Sequence, residues 1–199
     1  MEIYSLENNF FYCIFVQKYS IPFMKKIVAF AGSNSKNSIN KKLVIYTSSL
    51  IEECEVNLLD LNNFELPVFS VDIESEYGIP ENAHNFLTYL KASDGILVSL
   101  AEHNGAYTAA FKNIFDWMSR IESKTFFNKP MLLMATSTGS RGGKSVLSIA
   151  QDRFPRHDAK IIEVFSLPSF KENFADGKIT DSNLNKELKE KLKTFLKAV

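Results

Sequence analysis

The residues best suited to chemistry lie in one loop, Gly32-Ser33-Asn34-Ser35-Lys36-Asn37-Ser38-Ile39-Asn40. It follows the apolar run Lys26-Ile27-Val28-Ala29-Phe30-Ala31 and precedes apolar residues at helical spacing, Ile39, Leu43, Tyr46 and Leu50. A strand that feeds a polar turn and then a helix start is a place to hold a phosphate. The first N–H groups of a helix lack internal partners, and its dipole favours an anion there. Serines 33, 35 and 38 and asparagines 34, 37 and 40 add side-chain donors. Two further loops have similar chemistry: Ala101-Glu102-His103-Asn104-Gly105-Ala106-Tyr107 and Ser137-Thr138-Gly139-Ser140-Arg141-Gly142-Gly143. Each alone reads equally well as turn chemistry. Gly105, Gly139, Gly142 and Gly143 together would make a flat backbone surface on which a planar ring could lie.

The elements around these loops decide whether they meet. Apolar runs at 26–31, 55–61, 95–100, 131–136 and 160–166 read as buried strands. Helical patterns run over about 38–53, 80–92, 107–121, 143–154 and 181–197. Strict alternation of strand and helix implies a parallel sheet covered by helices on both faces. The expected fold is α/β, a flavodoxin-like three-layer sandwich with a five-stranded parallel sheet in order 2-1-3-4-5. In such a sheet, ligands bind beyond the carboxyl ends of the strands where the strand order reverses, here between strands 1 and 3. All three loops emerge at that edge. Two longer connections, 61–79 and 167–180, are left for shaping a site or an interface; the second carries an Asp176-Gly177 turn. With no repeat and no low-complexity linker, residues 24–199 form a single domain.

Composition excludes several classes. The 23 basic and 23 acidic side chains balance, which gives no footprint for nucleic acid or an anionic membrane. Cys13 and Cys54 are too few for a disulfide framework or a zinc site and point to a reducing cytoplasm. His84, His103 and His157 lack metal-ligand spacing, so no metal site is expected. Gly143-Lys144-Ser145 resembles the end of a Walker A loop, but the first glycine of that pattern falls at Thr138, and the dinucleotide fingerprint GxGxxG is absent. Residues 1–23 carry an aromatic apolar run, Phe10 to Val16, too short to span a bilayer and flanked by Glu2 and Glu7 rather than a basic region. The expectation is that this extension is foreign to the native protein, which would begin at Met24; the competing reading is a short arm that tethers to a membrane or a partner.

The loops resemble a known family. Gly32, Ser33, Ser38 and Asn40 match the GSxRxxSxN signature of the NADPH-dependent FMN reductases. Glu102 to Tyr107, then Lys112-Asn113 and Asp116-Trp117, are similar to that family's PEYNGSYP…LKNALDW segment, and Arg141-Gly142-Gly143 to its third loop. The resemblance covers residues 24–199. It departs at Ser35, where the signature has Arg; Lys36 offers a point charge instead of a bidentate fork. Ala101 replaces a Pro, and Thr138 and Ser140 stand where the family often has Pro and Gly.

The resemblance implies an NAD(P)H-dependent FMN oxidoreductase, passing a hydride from NADPH or NADH through FMN to free flavin, a quinone or a similar small-molecule acceptor. Ser33, Ser38 and Asn40 would hold the FMN phosphate, with Ser35 and Lys36 nearby. Glu102, His103, Asn104 and Gly105 would line the isoalloxazine, largely through backbone. Ser137, Thr138, Gly139 and Arg141 would border its other edge. The cofactor carries the chemistry, so no catalytic side chain is implied. Tyr107 would stack near the flavin or nicotinamide, or cap a helix. Lys112, Asn113, Asp116 and Trp117 would fix their helix against a loop or build a dimer contact. A homodimer or homotetramer is implied too; Phe111, Phe115, Trp117, Met118 and Phe126-Phe127 would serve either that contact or the core. Two alternatives stand beside the enzyme: a flavodoxin-type electron carrier, and a flavin-free member acting as an interaction protein.

Overall fold

The computed structural model describes residues 24–199; both expectations for residues 1–23 lie outside the described residues. In chain order the elements are β1 (Lys25–Gly32), α1 (Ile39–Ser49), β2 (Cys54–Leu59), α2 (Val71–Tyr77), α3 (Glu81–Ala92), β3 (Gly95–Leu100), β4 (Glu102–His103), β5 (Ala106–Tyr107), α4 (Ala109–Ile121), β6 (Pro130–Thr136), α5 (Lys144–Arg153), β7 (Lys160–Leu167), α6 (Phe170–Asn173), β8 (Phe174–Ala175), β9 (Lys178–Ile179) and α7 (Ser182–Ala198). The main sheet runs β2-β1-β3-β6-β7, all parallel. Counted within that sheet, the order is the expected 2-1-3-4-5.

Alternation along β1 shows how the layers form. Ile27, Ala29 and Ala31 pack with Leu43 and Val44 of α1 and Leu188, Leu192 and Phe195 of α7. Val28 and Phe30 point the other way, into a cluster with α3, α4 and α5 that includes Phe86, Phe111, Ile114 and Val146. Every residue of β3 is buried, as a central strand covered on both faces requires. The edge strands β2 and β7 are half-buried, which matches their polar residues Glu55, Asn57 and Glu163.

Four local differences from the sequence reading have physical causes. Helix α1 stops at Ser49, short of 53, in a Ser-Ser pair whose Ser49 hydroxyl donates to the Tyr46 carbonyl; such local bonds compete with helix continuation. Strand β2 ends at Leu59 because Asp60 turns the chain, its carboxylate accepting from the Asn62 backbone and from Lys41. Burial opposes ionisation of Asp60, but the Lys41 ammonium and the Asn62 donors outweigh it and hold its pKa below the ordinary value. Helix α2 lies within the long 61–79 connection, for which the sequence offers no helical pattern. It is capped by Ser70 and buries no residue, so it has no apolar periodicity to find. Residues 102–107 form a β4–β5 hairpin instead of leading directly into a helix, with Asn104 at φ 52° and Gly105 at φ 78°. The Asp176-Gly177 turn appears as expected, joining β8 to β9.

The aromatic residues of α4 are core. Phe111, Phe115, Trp117, Met118 and Phe126 are all buried, so none is available for a contact between subunits. Asn113 and Trp117 fix α4 against the 61–79 connection. The Asn113 carboxamide accepts from Phe69 N (2.8 Å) and donates to Pro67 O (3.0 Å), and Trp117 Nε1 donates to the same carbonyl (2.8 Å). Arg120 pairs with Glu74 and so ties α2 to the same helix.

His157 sits at the far end of this core. Its ring packs against Phe115 (centroids 4.7 Å apart), and Nδ1 lies 2.9 Å from the Ser123 carbonyl. Burial, helped by the nearby Arg153 and Lys124 charges and opposed by the Ser123 contact, pushes its pKa below the usual histidine value. The folded chain therefore prefers neutral imidazole. The stability this contributes is present above the unfolded pKa of about 6.5 and is lost as pH falls through the lower folded value. The urea midpoint is expected to fall more between about pH 7.5 and about pH 5.5 in the wild type than in His157→Gln. Parallel changes in the two proteins would contradict this.

Candidate functional site

The loop after β1 is shaped by its own serines. Ser33 Oγ accepts from Ser35 N (3.2 Å), and Ser38 N donates to Ser35 O (3.2 Å). Ser38 caps α1, its Oγ accepting from Lys41 N (3.2 Å). Each hydroxyl spends an acceptor lone pair this way and keeps its proton to donate. The N–H groups of Ile39 and Asn40, in the first turn, have no carbonyl within the helix to meet. Ser35 and Lys36 are exposed at the rim. The loop thus offers an anion two hydroxyl donors, a helix N-terminus and one ammonium.

Asn40 requires a correction. Its side chain was expected to hold the phosphate, but it is buried and turned into the sheet. Oδ1 accepts from Thr136 N (2.9 Å) and from Ser99 Oγ (2.7 Å), while Nδ2 donates to Thr136 O (3.2 Å). Its oxygen is fully used, one of its two amide protons is bonded, and at 2% exposure the group is sealed beneath the loop; the backbone N–H of Asn40 remains for a ligand.

The other two loops are brought to the first by specific bonds. Thr108 donates its hydroxyl to Gly32 O (2.9 Å) and accepts from Phe111 N, so one residue joins the end of β1 to the start of α4. Glu102 turns its carboxylate to Val146 N (3.0 Å) in the first turn of α5. That helix begins at Gly143, which has no side chain to cap it, and the Glu102 carboxylate fills the role from β4. The Glu102 side chain is therefore committed to α5, which leaves its backbone for a ligand. His103 and Asn104 are exposed at the hairpin tip, and the pro-side-chain direction of Gly105 meets Ser145 at 4.0 Å. Tyr107 points away from the crevice. Its ring stacks on Phe154, its hydroxyl is buried without a partner among the described residues, and burial pushes its pKa up to about 12.

The loop after β6 turns its carbonyls inward. Ser137 O accepts from Phe170 N, and Gly139 O accepts from Gly142 N, Ser169 N and the Ser137 hydroxyl. Thr138, Gly139 and Arg141 are exposed, with Arg141 Nη2 donating to Ser145 Oγ (3.1 Å). All thirteen candidate residues except the Asn40 side chain thus lie on three loops at one sheet edge.

Two glycines test whether a flat cofactor such as FMN suits this edge. Among the described residues a Cβ on Gly139 would meet nothing within 4 Å, and one on Gly105 only Ser145 at 4.0 Å. Gly105 is explained by its positive φ. Among the described residues nothing demands glycine at 139, whereas a ring lying on the backbone would. With the donors of the first loop, the residues present fit a phosphorylated planar group. A cavity of about 380 Å3 flanks the first loop between Asn34, Phe64, Leu66 and Asn113. A larger one of about 730 Å3, lined by Lys25, Leu50, Cys54 and Leu192, opens at the opposite end of the sheet, far from this chemistry. Sequence reasoning missed Ser99, Thr108 and Thr136, because serine and threonine at strand ends and helix caps carry no signal of their long-range partners.

Comparisons with known proteins agree with this geometry. Residues 25–172 match the model of a family described as NADPH-dependent FMN reductase. A quinone reductase of Escherichia coli K12 is 27% identical over 119 residues, 59% of this chain and 63% of that protein. The match therefore spans less than two thirds of that relative's length. A probable NADPH:quinone oxidoreductase 2 of Oryza sativa subsp. japonica is 25% identical over 175 residues, 84% of this chain and 85% of that one. Among solved structures, FerB, a flavoenzyme NAD(P)H:(acceptor) oxidoreductase from Paracoccus denitrificans, superposes with a TM-score of 0.68. It has 24% identity and covers 88% of this chain and 99% of its own, a likeness of fold.

Proposed function

The chain belongs to the NADPH-dependent FMN reductase family, and from that premise we propose that it binds FMN and uses NADPH or NADH to reduce a small-molecule acceptor such as a quinone or free flavin. The observation that carries this reading is the convergence of a helix-N-terminal anion site with a glycine at 139 that packing among the described residues does not require. Ser33 and Ser38 would donate to the phosphate, joined by the N–H groups of Ile39 and Asn40 and by Ser35 and Lys36 at the rim. The backbone of Glu102, His103, Asn104 and Gly105 would support one edge of the ring. Ser137, Thr138, Gly139 and Arg141 would border the other. FMN, when bound, supplies the capacity to accept a hydride and pass electrons on. The protein's part is to orient the ring and leave one face open. We place the activity in the cytoplasm, as cysteine usage supports, with no nucleic-acid or membrane partner; among the described residues no helix is long and apolar enough to cross a membrane. Val68, Val71 and Tyr77, exposed on α2 and the loop before it, would supply an apolar surface for a homodimer or homotetramer.

The test is a visible absorption titration of the full chain with FMN, followed by anaerobic NADPH. A bound flavin spectrum that bleaches with NADPH is expected. A bound flavin that neither NADPH nor NADH bleaches would make the protein a carrier, and an absence of binding would refute the flavin site.

A further inference from the structure

The sheet ends unevenly above its centre. The last paired residues of β3 and β6 are Leu100 and Ala135. One step further, Ala101 would stand opposite Thr136. The chain of β3 instead leaves the sheet at Ala101 and enters the β4–β5 hairpin. That departure would strip Thr136 of a backbone partner in a buried place, at a cost of about 1–3 kcal/mol per unsatisfied group. The Asn40 carboxamide stands there instead. It accepts from Thr136 N and donates to Thr136 O, the two bonds that the peptide groups on either side of an in-register β3 residue would supply, and Ser99 Oγ completes its acceptor capacity. Thr136 carries the connection on, its hydroxyl donating to Leu167 O (2.7 Å) at the end of β7. Asn40, Ser99 and Thr136 are each no more than 2% exposed.

We infer that Asn40 is a positioning residue of the site: its carboxamide stands in for the missing β3 backbone donor and acceptor, so the switch-point crevice can open while α1, β3, β6 and β7 stay in one register. All the loops that would hold the cofactor start from these four elements or from β1 beside them. Only Asn combines a donor and an acceptor of peptide geometry on so short a side chain; Asp lacks the donor unless protonated, and Gln is one methylene longer. The affinity part of this inference rests on the FMN reading; the part concerning loop order in the ligand-free chain does not.

The experiment compares amide hydrogen-exchange protection of the ligand-free full chain, and FMN affinity, for the wild type, Asn40→Ala, Asn40→Asp and Thr47→Ala. Thr47 is the control. It is buried on the same helix, its hydroxyl bonded to Leu43 O (2.9 Å) with Met134 Sδ of β6 at 3.6 Å, but it bonds none of Asn40, Ser99 and Thr136. Asn40→Ala is expected to cut protection of residues 101–107 and 137–143 by roughly tenfold or more, and to weaken FMN by a similar factor. Thr47→Ala should leave both near wild type even where its unfolding midpoint drops as far. Asn40→Asp should recover protection near about pH 5, where a buried carboxyl is protonated and can both accept and donate, and lose it near about pH 8, relative to wild type at each pH. Equal loosening of the loops by Asn40→Ala and Thr47→Ala would overturn the inference, as would a pH-independent Asn40→Asp. If Asn40→Ala does not fold, Asn40→Asp decides together with Ser99→Ala, which keeps both Thr136 bonds and should loosen the loops less. A wild type that binds no FMN refutes the flavin site, while the protection data still decide the role of Asn40.

Discussion

Gly142→Ala is expected to weaken FMN binding by at least roughly tenfold and to lower stability by about 2–5 kcal/mol, the sum of a left-handed backbone and an overpacked contact. Gly142 has φ 58°, and a Cβ there would lie 2.3 Å from Ser166 Oγ, 2.9 Å from Pro168 N and 3.0 Å from the Leu167 carbonyl carbon. The serine hydroxyl can rotate away, but it would give up its bond to Gly142 O (3.0 Å). The other two atoms are backbone at the end of β7 and cannot move without shifting the strand. The loop after β6 would then lose its seat, because Gly142 N also donates to Gly139 O and closes the turn. Gly139→Ala separates the two effects. With nothing among the described residues within 4 Å of the added Cβ, it should leave the urea midpoint unchanged and weaken FMN alone. A Gly142→Ala protein as stable as wild type would show that the loop yields more easily than its contacts indicate. Unchanged FMN affinity in Gly139→Ala would remove that backbone from the ring site.

Trp117→Ala is expected to cost about 3–5 kcal/mol, as for other large buried aromatic groups. The indole is fully buried, lies edge-on to Phe69 with centroids 5.0 Å apart, and holds Pro67 O through Nε1. It is therefore both a piece of core and the staple for the 61–79 connection. Trp117→Phe parts the two roles. Pro67 O keeps its bond from Asn113 Nδ2, so loss of the indole donor should cost only about 1 kcal/mol. Urea midpoints measure the costs, and limited proteolysis within 61–79 reports the staple. Cleavage there should rise sharply in Trp117→Ala and slightly in Trp117→Phe. Resistance equal to wild type in Trp117→Ala would mean that Asn113 and the Arg120–Glu74 pair hold the connection without it.

The division between sequence and tertiary structure can be seen in particular residues. Continuous apolar runs at 26–31, 95–100 and 131–136, separated by helical patterns, were enough to specify a parallel sheet, because only strands covered on both faces can be apolar throughout. Five strands in that alternation suited the order 2-1-3-4-5, and the order placed three polar loops at one edge. Helix α2 could not be read, since a helix that buries nothing leaves no periodicity. The β4–β5 hairpin had its Asn104-Gly105 turn in plain view, but the helical spacing of Phe111, Ile114 and Phe115 hid how late α4 begins. The α4 aromatics could be assigned to core or interface only by the packing around them. Asn40 is the sharpest case. At a helix start beside serines its type suggests a ligand donor, and nothing local contradicts that. Its partners are 59 and 96 residues away in the chain. By itself the sequence determined the sheet, its order and the edge at which chemistry can occur. The tertiary structure alone decided which polar side chains face that edge and which are consumed in building it, because a hydrogen bond's direction depends on the strands that meet it and not on the residues beside it.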